Sequence, residues 1–101
     1  MEFLKDLKLE RPIVFFDLET TGVSIEKDRI CSIACCKINV DGSQESKYIL
    51  INPTIPIPEQ ATLVHKITDE MVKDSPTFKN VSKAMYEFFE GCDLSGYNSN
   101  N

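Results

Sequence analysis

The hydrophobic and polar positions of this chain follow two periods, first that of strands and then that of helices. Ile13-Val14-Phe15-Phe16 is an unbroken apolar run, the pattern of a central strand covered on both faces. It predicts a first strand over Ile13 to Leu18. Thr20-Thr21-Gly22 breaks the strand, with Gly22 able to adopt a positive φ. Arg29 to Val40 predicts a long second strand. Its even positions Ile30, Ser32, Ala34, Cys36, Ile38 and Val40 are mostly apolar. Its odd positions turn polar at Lys37 and Asn39, so its far end has one wet face. Asp41-Gly42 marks a hairpin turn, and Glu45 to Ile51 is the returning strand.

The second half reads differently. Asn52 to Pro58 carries three prolines in seven residues, so it is extended and is not a central strand. Pro58 to Leu63 predicts a short helix with Pro58 near its start. Thr68 is an N-cap for another helix start at Thr68-Asp69-Glu70-Met71. The clearest helix spans Pro76 to Glu90, with Ser75 as N-cap and Pro76 at the first helical position. Phe78, Val81, Ala84, Met85, Phe88 and Phe89 fall within an arc of roughly 140° at 100° per residue, the stripe of a helix that packs on a core. Lys83 and Glu87 are spaced for an i,i+4 pair. Gly91 ends the helix, and Asp93 to Tyr97 begins a further strand. The order predicts an α/β protein: a mixed sheet, antiparallel in its first three strands, then a helix and another strand. Repeats, heptads and low-complexity tracts are absent.

Composition narrows the function. A chain of 101 residues, 42% hydrophobic and 27% charged, suits one small globular domain. No run approaches the length of a membrane span. Met1 to Arg11 lacks the apolar core of a signal peptide, so the cytoplasm is the expected compartment. Cys31, Cys35, Cys36 and Cys92 form no CxxC pair and have no His cluster beside them, so they read as buried, reduced thiols rather than a zinc site. The net charge of −5 argues against a broad basic nucleic-acid surface. Lys66, Lys73, Lys79 and Lys83 are scattered. An enzyme that meets phosphate through bound metal ions remains compatible with that charge.

The candidate chemistry lies in Phe15-Phe16-Asp17-Leu18-Glu19-Thr20-Thr21-Gly22. Strand side chains alternate, so Asp17 and Glu19 point to the same side. Two converging carboxylates at a strand end are costly unless a positive charge sits between them. Hard divalent cations such as Mg2+ or Mn2+, which take oxygen ligands, relieve that repulsion.

Three ordered blocks carry a family resemblance over residues 12 to 101. FDLETTG with DRICSIA (Asp28 to Ala34) resembles the first motif of the DEDD, or DnaQ-like, 3′–5′ exonucleases. The best match is the branch of the DNA polymerase III epsilon proofreading subunit. Asn52 to Phe78 resembles that branch's His-Gly-Ile-Thr element followed by a Pro-x-Phe helix start. Gly96-Tyr97-Asn98 resembles the opening of the second motif, usually Gly-His-Asn. The resemblance implies a ribonuclease H-like mixed sheet with flanking helices. It implies Asp17 and Glu19 as catalytic metal ligands for two divalent cations, Mg2+ or Mn2+, about 3.5–4 Å apart at the terminal phosphodiester. It further implies that Thr20, Thr21, Gly22, His65 and Asn98 lie against the substrate. The implied partners are the 3′ end of a single-stranded nucleic acid, DNA before RNA, and a DNA polymerase.

The chain departs from the family at three points. Lys66 stands where Gly is usual, which predicts a different backbone shape there. Tyr97 stands where His is usual. The later Asp ligands and the general-base His of the third motif have no counterpart. Residues 1 to 101 are therefore expected to be one partial exonuclease domain, truncated at its C-terminus. Its first motif is at 15–22 and the start of its second is at 96–101. The isolated chain is expected to be inactive and prone to self-association through an uncovered sheet. The rival reading is an inactive fold that binds nucleic acid or a partner weakly.

Overall fold

The computed structural model describes residues 10–22, 24 and 28–97, and in it the leading apolar run lies in strand β1 (Ile13–Thr20). Strands β2 (Ile30–Ile38), β3 (Gln44–Leu50) and β4 (Asp93–Tyr97) complete a sheet in the order β3-β2-β1-β4. β1 pairs antiparallel with β2 and parallel with β4, and β2 pairs antiparallel with β3. This is the mixed sheet the sequence predicts. Between β3 and β4 lie α1 (Glu59–His65), α2 (Asp69–Val72) and α3 (Phe78–Phe89). Among the described residues no helix is long and apolar enough to cross a membrane.

Alternation along β1 puts Val14, Phe16 and Leu18 on one face. They pack with Ile33 and Cys35 of β2, with Ile51, and with Met85 and Phe88 of α3. The Phe16 and Phe89 rings lie 6.1 Å apart, and Phe88 and Phe89 6.0 Å apart, within the range of favourable aromatic contact. Gly96 of β4 lies against Phe16. A Cβ there would come within 3.1 Å of the ring, so Gly96 makes room for a core aromatic. Lys37 and Lys47 reach over Phe88, with Nζ 4.2 and 5.2 Å from the ring centroid. They close the outer end of this core with cation–π contacts.

Three sequence expectations are corrected. First, burial along β2 does not alternate: Cys31, Ser32, Ile33, Cys35 and Ile38 are buried, and the even positions Ile30, Ala34 and Cys36 only partly so. The reason is a bulge: Glu19 faces Ser32 but Thr20 faces Ile30, which leaves Cys31 as an extra residue. Ile33 joins the α3 cluster, whereas Cys31 joins Ile57, Ile67 and Val72. Second, the main helix starts at Phe78, with Thr77 rather than Ser75 as its N-cap. The Thr77 hydroxyl accepts from Asn80 N–H, and the Asn80 side chain accepts from Thr77 N–H, a reciprocal capping box. Pro76 stays outside, its carbonyl accepting from Asn52 N–H at 2.8 Å. Third, the buried stripe is narrower than predicted. Met85 and Phe88 are buried and Val81 and Phe89 partly so, while Ala84 is exposed and Phe78 is 46% exposed. Among the described residues Arg11 pairs with Asp93 and Lys73 with Glu70, but Lys83 and Glu87 make no ion pair.

The two short helices start as predicted. Pro58 is the N-cap of α1, and the Thr68 side chain accepts from Met71 N–H at the start of α2. Lys66 closes α1 at φ 66° and ψ 11°, its N–H donating to the Thr62 carbonyl at 2.7 Å. Lys66 thus holds a left-handed shape that a glycine adopts freely. Lys66 Nζ returns to the Leu63 carbonyl at 2.9 Å.

Candidate active site

Asp17 and Glu19 leave β1 on the face turned away from α3. Both are half-buried, and Glu19 Oε2 is shielded from solvent. The register sets Asp17 beside Ala34 and Glu19 beside Ser32, so small neighbours leave space over the carboxylates. A cavity of about 280 Å³ lies there, walled by Tyr48 of β3, Val64 and His65 of α1, and Ile67.

His65 holds this wall in place. Its Nδ1 accepts the Ile67 N–H at 3.1 Å, which leaves the proton on Nε2. Nε2–H donates to the Thr20 carbonyl at 3.0 Å, with Cys31 Sγ 3.7 Å away. A neutral imidazole therefore ties the end of α1 to the end of β1. Burial, and after it the negative charge of Glu19, push the Cys31 thiol up from 9.0 to about 11. That cysteine is thus a protonated packing residue rather than a nucleophile.

A second cavity of about 390 Å³ adjoins the first at Val64 and His65 and is bounded by Thr20, Thr21, Gly22 and Asp28. The turn is built around Asp28. Its Oδ1 accepts the Thr21 hydroxyl at 2.8 Å and its Oδ2 accepts Ser24 N–H at 2.7 Å. Thr21 is 1% exposed, and its hydroxyl also accepts Arg29 N–H at 3.0 Å. The Thr20 hydroxyl donates to the Gly22 carbonyl. Gly22 is needed for space, not for the positive φ its sequence suggested: a Cβ there would stand 2.6 Å from Asp28 Oδ2. The glycines with positive φ among the described residues are Gly42 and Gly91.

The fold thus gathers Asp17, Glu19, Thr20, Thr21, Gly22 and His65 at one end of β1. Asn98 lies outside the described residues. Sequence reasoning gave no role to Asp28, Tyr48 or Val64. Asp28 sits in the quoted DRICSIA block and Val64 precedes His65, so position relative to a motif was the available signal. Among the described residues no group of three or more His, Cys, Asp and Glu side chains could hold a metal ion. Asp17 and Glu19 form an all-oxygen pair suited to Mg2+ or Mn2+, and a complete site needs ligands beyond these two.

This chain belongs to the exonuclease family RNase_T, which it matches over residues 14–101. It is 36% identical over 95 residues to the PolC-type DNA polymerase III of Caldanaerobacter subterraneus subsp. tengcongensis, covering 94% of this chain and 7% of that protein. It is 38% identical over 90 residues to a DNA polymerase III subunit epsilon-like protein of Rhodobacter capsulatus, covering 85% of this chain and 13% of that protein. The chain therefore spans a small part of the length of these relatives. Its fold is that of E. coli exonuclease I, solved in complex with a dT13 oligonucleotide. The TM-score is 0.74 at 18% identity, over 87% of this chain and 20% of that one. The sheet is accordingly ribonuclease H-like.

Proposed function

We propose that this chain is the motif-bearing first part of a metal-dependent 3′–5′ exonuclease domain of the proofreading type. It would act on the 3′ end of single-stranded DNA and release nucleoside 5′-monophosphates. The observation that carries this reading is the pair Asp17 and Glu19, on one face of β1 over a cavity, in a chain of the exonuclease family.

Asp17 and Glu19 would hold divalent cations, Mg2+ or Mn2+, together with ligands from outside the described residues. When bound, such ions lower the pKa of a coordinated water and stabilise the leaving 3′ oxygen. The chain's own residues provide the rest. Thr20 and Gly22 border the cavity where the terminal nucleotide would lie, and Thr21 and Asp28 fix the turn that presents them. His65 acts as a positioning residue, because both its ring nitrogens are engaged with backbone groups. Asn98 would lie beside the substrate strand. The epsilon-like and PolC-type relatives support association with a DNA polymerase. The free thiols Cys31, Cys35, Cys36 and Cys92 suit a reducing cytoplasm. Exposed Tyr48, Leu63, Val64 and Leu94 support self-association of the chain when its partners are absent.

The test is digestion of 5′-labelled single-stranded DNA with Mn2+, with EDTA and by Asp17→Ala. In the full-length protein that carries these residues, stepwise shortening from the 3′ end that needs Mn2+ is expected. Asp17→Ala should reduce it by about 100-fold or more, beyond the 10–100-fold typical of an outer-shell change. Shortening that survives EDTA and Asp17→Ala alike would overturn the assignment.

A further inference from the structure

A third cavity, of about 490 Å³, lies at the same end of the sheet and shares Asp28 with the one beside the Thr20–Gly22 turn. Arg29, Phe78 and Lys79 line it, and none of them was given a chemical role by the sequence. Arg29 stands next to the turn, its carbonyl accepting Thr21 N–H at 2.9 Å. Both oxygens of Asp28 accept bonds from within its own loop, from the Thr21 hydroxyl and Ser24 N–H. Its oxygens are thus engaged within the loop, and Arg29 and Lys79 are the cations that line the groove. Four other cations are engaged elsewhere: Arg11 with Asp93, Lys73 with Glu70, and Lys37 and Lys47 over Phe88. Phe78 belongs to the stripe predicted to pack on the core, yet it is 46% exposed at the first position of α3. Two cations and an exposed aromatic ring thus line one groove, the elements by which proteins hold single strands: charge for the phosphates and a flat face for the bases.

We infer that this groove is an upstream nucleotide subsite, in which Arg29 and Lys79 meet a phosphodiester and Phe78 stacks a base behind the 3′-terminal nucleotide. The inference rests on the exonuclease reading and adds to it the path of the strand. It gives an acidic chain a local means of holding DNA without a basic surface.

The test compares the full chain with Arg29→Ala/Lys79→Ala and with Phe78→Leu, which keeps an apolar residue at the helix start. The ligands are a long oligothymidylate with a phosphorothioate at its 3′ linkage and thymidine 5′-monophosphate, both with Mn2+. Each variant should bind the oligonucleotide about tenfold more weakly, the scale of one lost stack or of two lost phosphate contacts. The double variant should also lower the slope of log affinity against log salt by about 1.4. Monophosphate binding should not change. Unchanged oligonucleotide affinity would overturn the subsite while leaving the exonuclease reading intact. Equal losses for both ligands would also overturn it, because the groove would then be acting through the terminal site. A wild-type chain that binds neither ligand would sink the exonuclease reading, and the subsite with it.

Discussion

On one side of β1, Val14, Phe16 and Leu18 pack with Met85 and Phe88 of α3. On the other, Asp17 and Glu19 stand over small neighbours, next to an imidazole whose nitrogens are both bonded. The same strand supplies both faces, and their energetics have opposite signs. The helix-covered face gains from apolar burial and close contact. The carboxylate face carries a half-buried acid pair, with Glu19 Oε2 shielded from solvent, and a bulge that takes β2 out of alternation, features that cost stability and persist at functional sites. The first face holds the second in place.

Truncation of Phe88 breaks that contrast most strongly. Phe88→Ala should cost about 3–5 kcal/mol, seen as a lower denaturation midpoint. It removes the ring on which Lys37 and Lys47 rest and leaves the acid side chains untouched. On the site face, Gly22→Ala should cost about 1–3 kcal/mol, because an added Cβ must displace the Asp28 carboxylate. Activity should fall with stability there, whereas Phe88→Ala should lower activity only through the folded fraction. Lys66→Gly sharpens the comparison in the other direction. It relieves a left-handed lysine and should raise stability by about 1 kcal/mol, less what the Lys66 Nζ bond to Leu63 contributes.

The smallest effect appears only in alkali. The Cys31 thiol ionises near 9.0 when exposed and near 11 in the fold. Between those values the folded chain binds more protons than the unfolded one, so stability is complete below pH 9 and falls as pH rises toward 11. Cys31→Ala should flatten that alkaline loss in pH-dependent denaturation curves. The same slope in both proteins would assign the loss to other groups.

Much of this was legible in the sequence, for identifiable reasons. The β1 run, the Thr68 cap and the single face for Asp17 and Glu19 follow from local periodicity and local hydrogen bonding. The bulge at Cys31 was not legible, because it depends on how β1 and β2 align across the sheet. The helix start moved from Pro76 to Phe78 because Asn52 claims the Pro76 carbonyl and Asn80 completes a box with Thr77. Gly22 was recognisable as necessary, but the reason, the Asp28 carboxylate against it, is a contact between residues six apart in the turn. Phe78 matched the helical stripe and lies at its open end, where the period alone does not say whether anything covers it.

The most direct test of the central claim, that Asp17 and Glu19 form a cation-binding pair, is the melting temperature with and without Mn2+. The comparison is between the wild-type chain, Asp17→Asn and Glu19→Gln. A ligand that binds only the folded state stabilises it by mass action. Mn2+ should therefore raise the wild-type midpoint and leave both variants where they were. An equal rise in all three, or none in the wild type, would contradict the account.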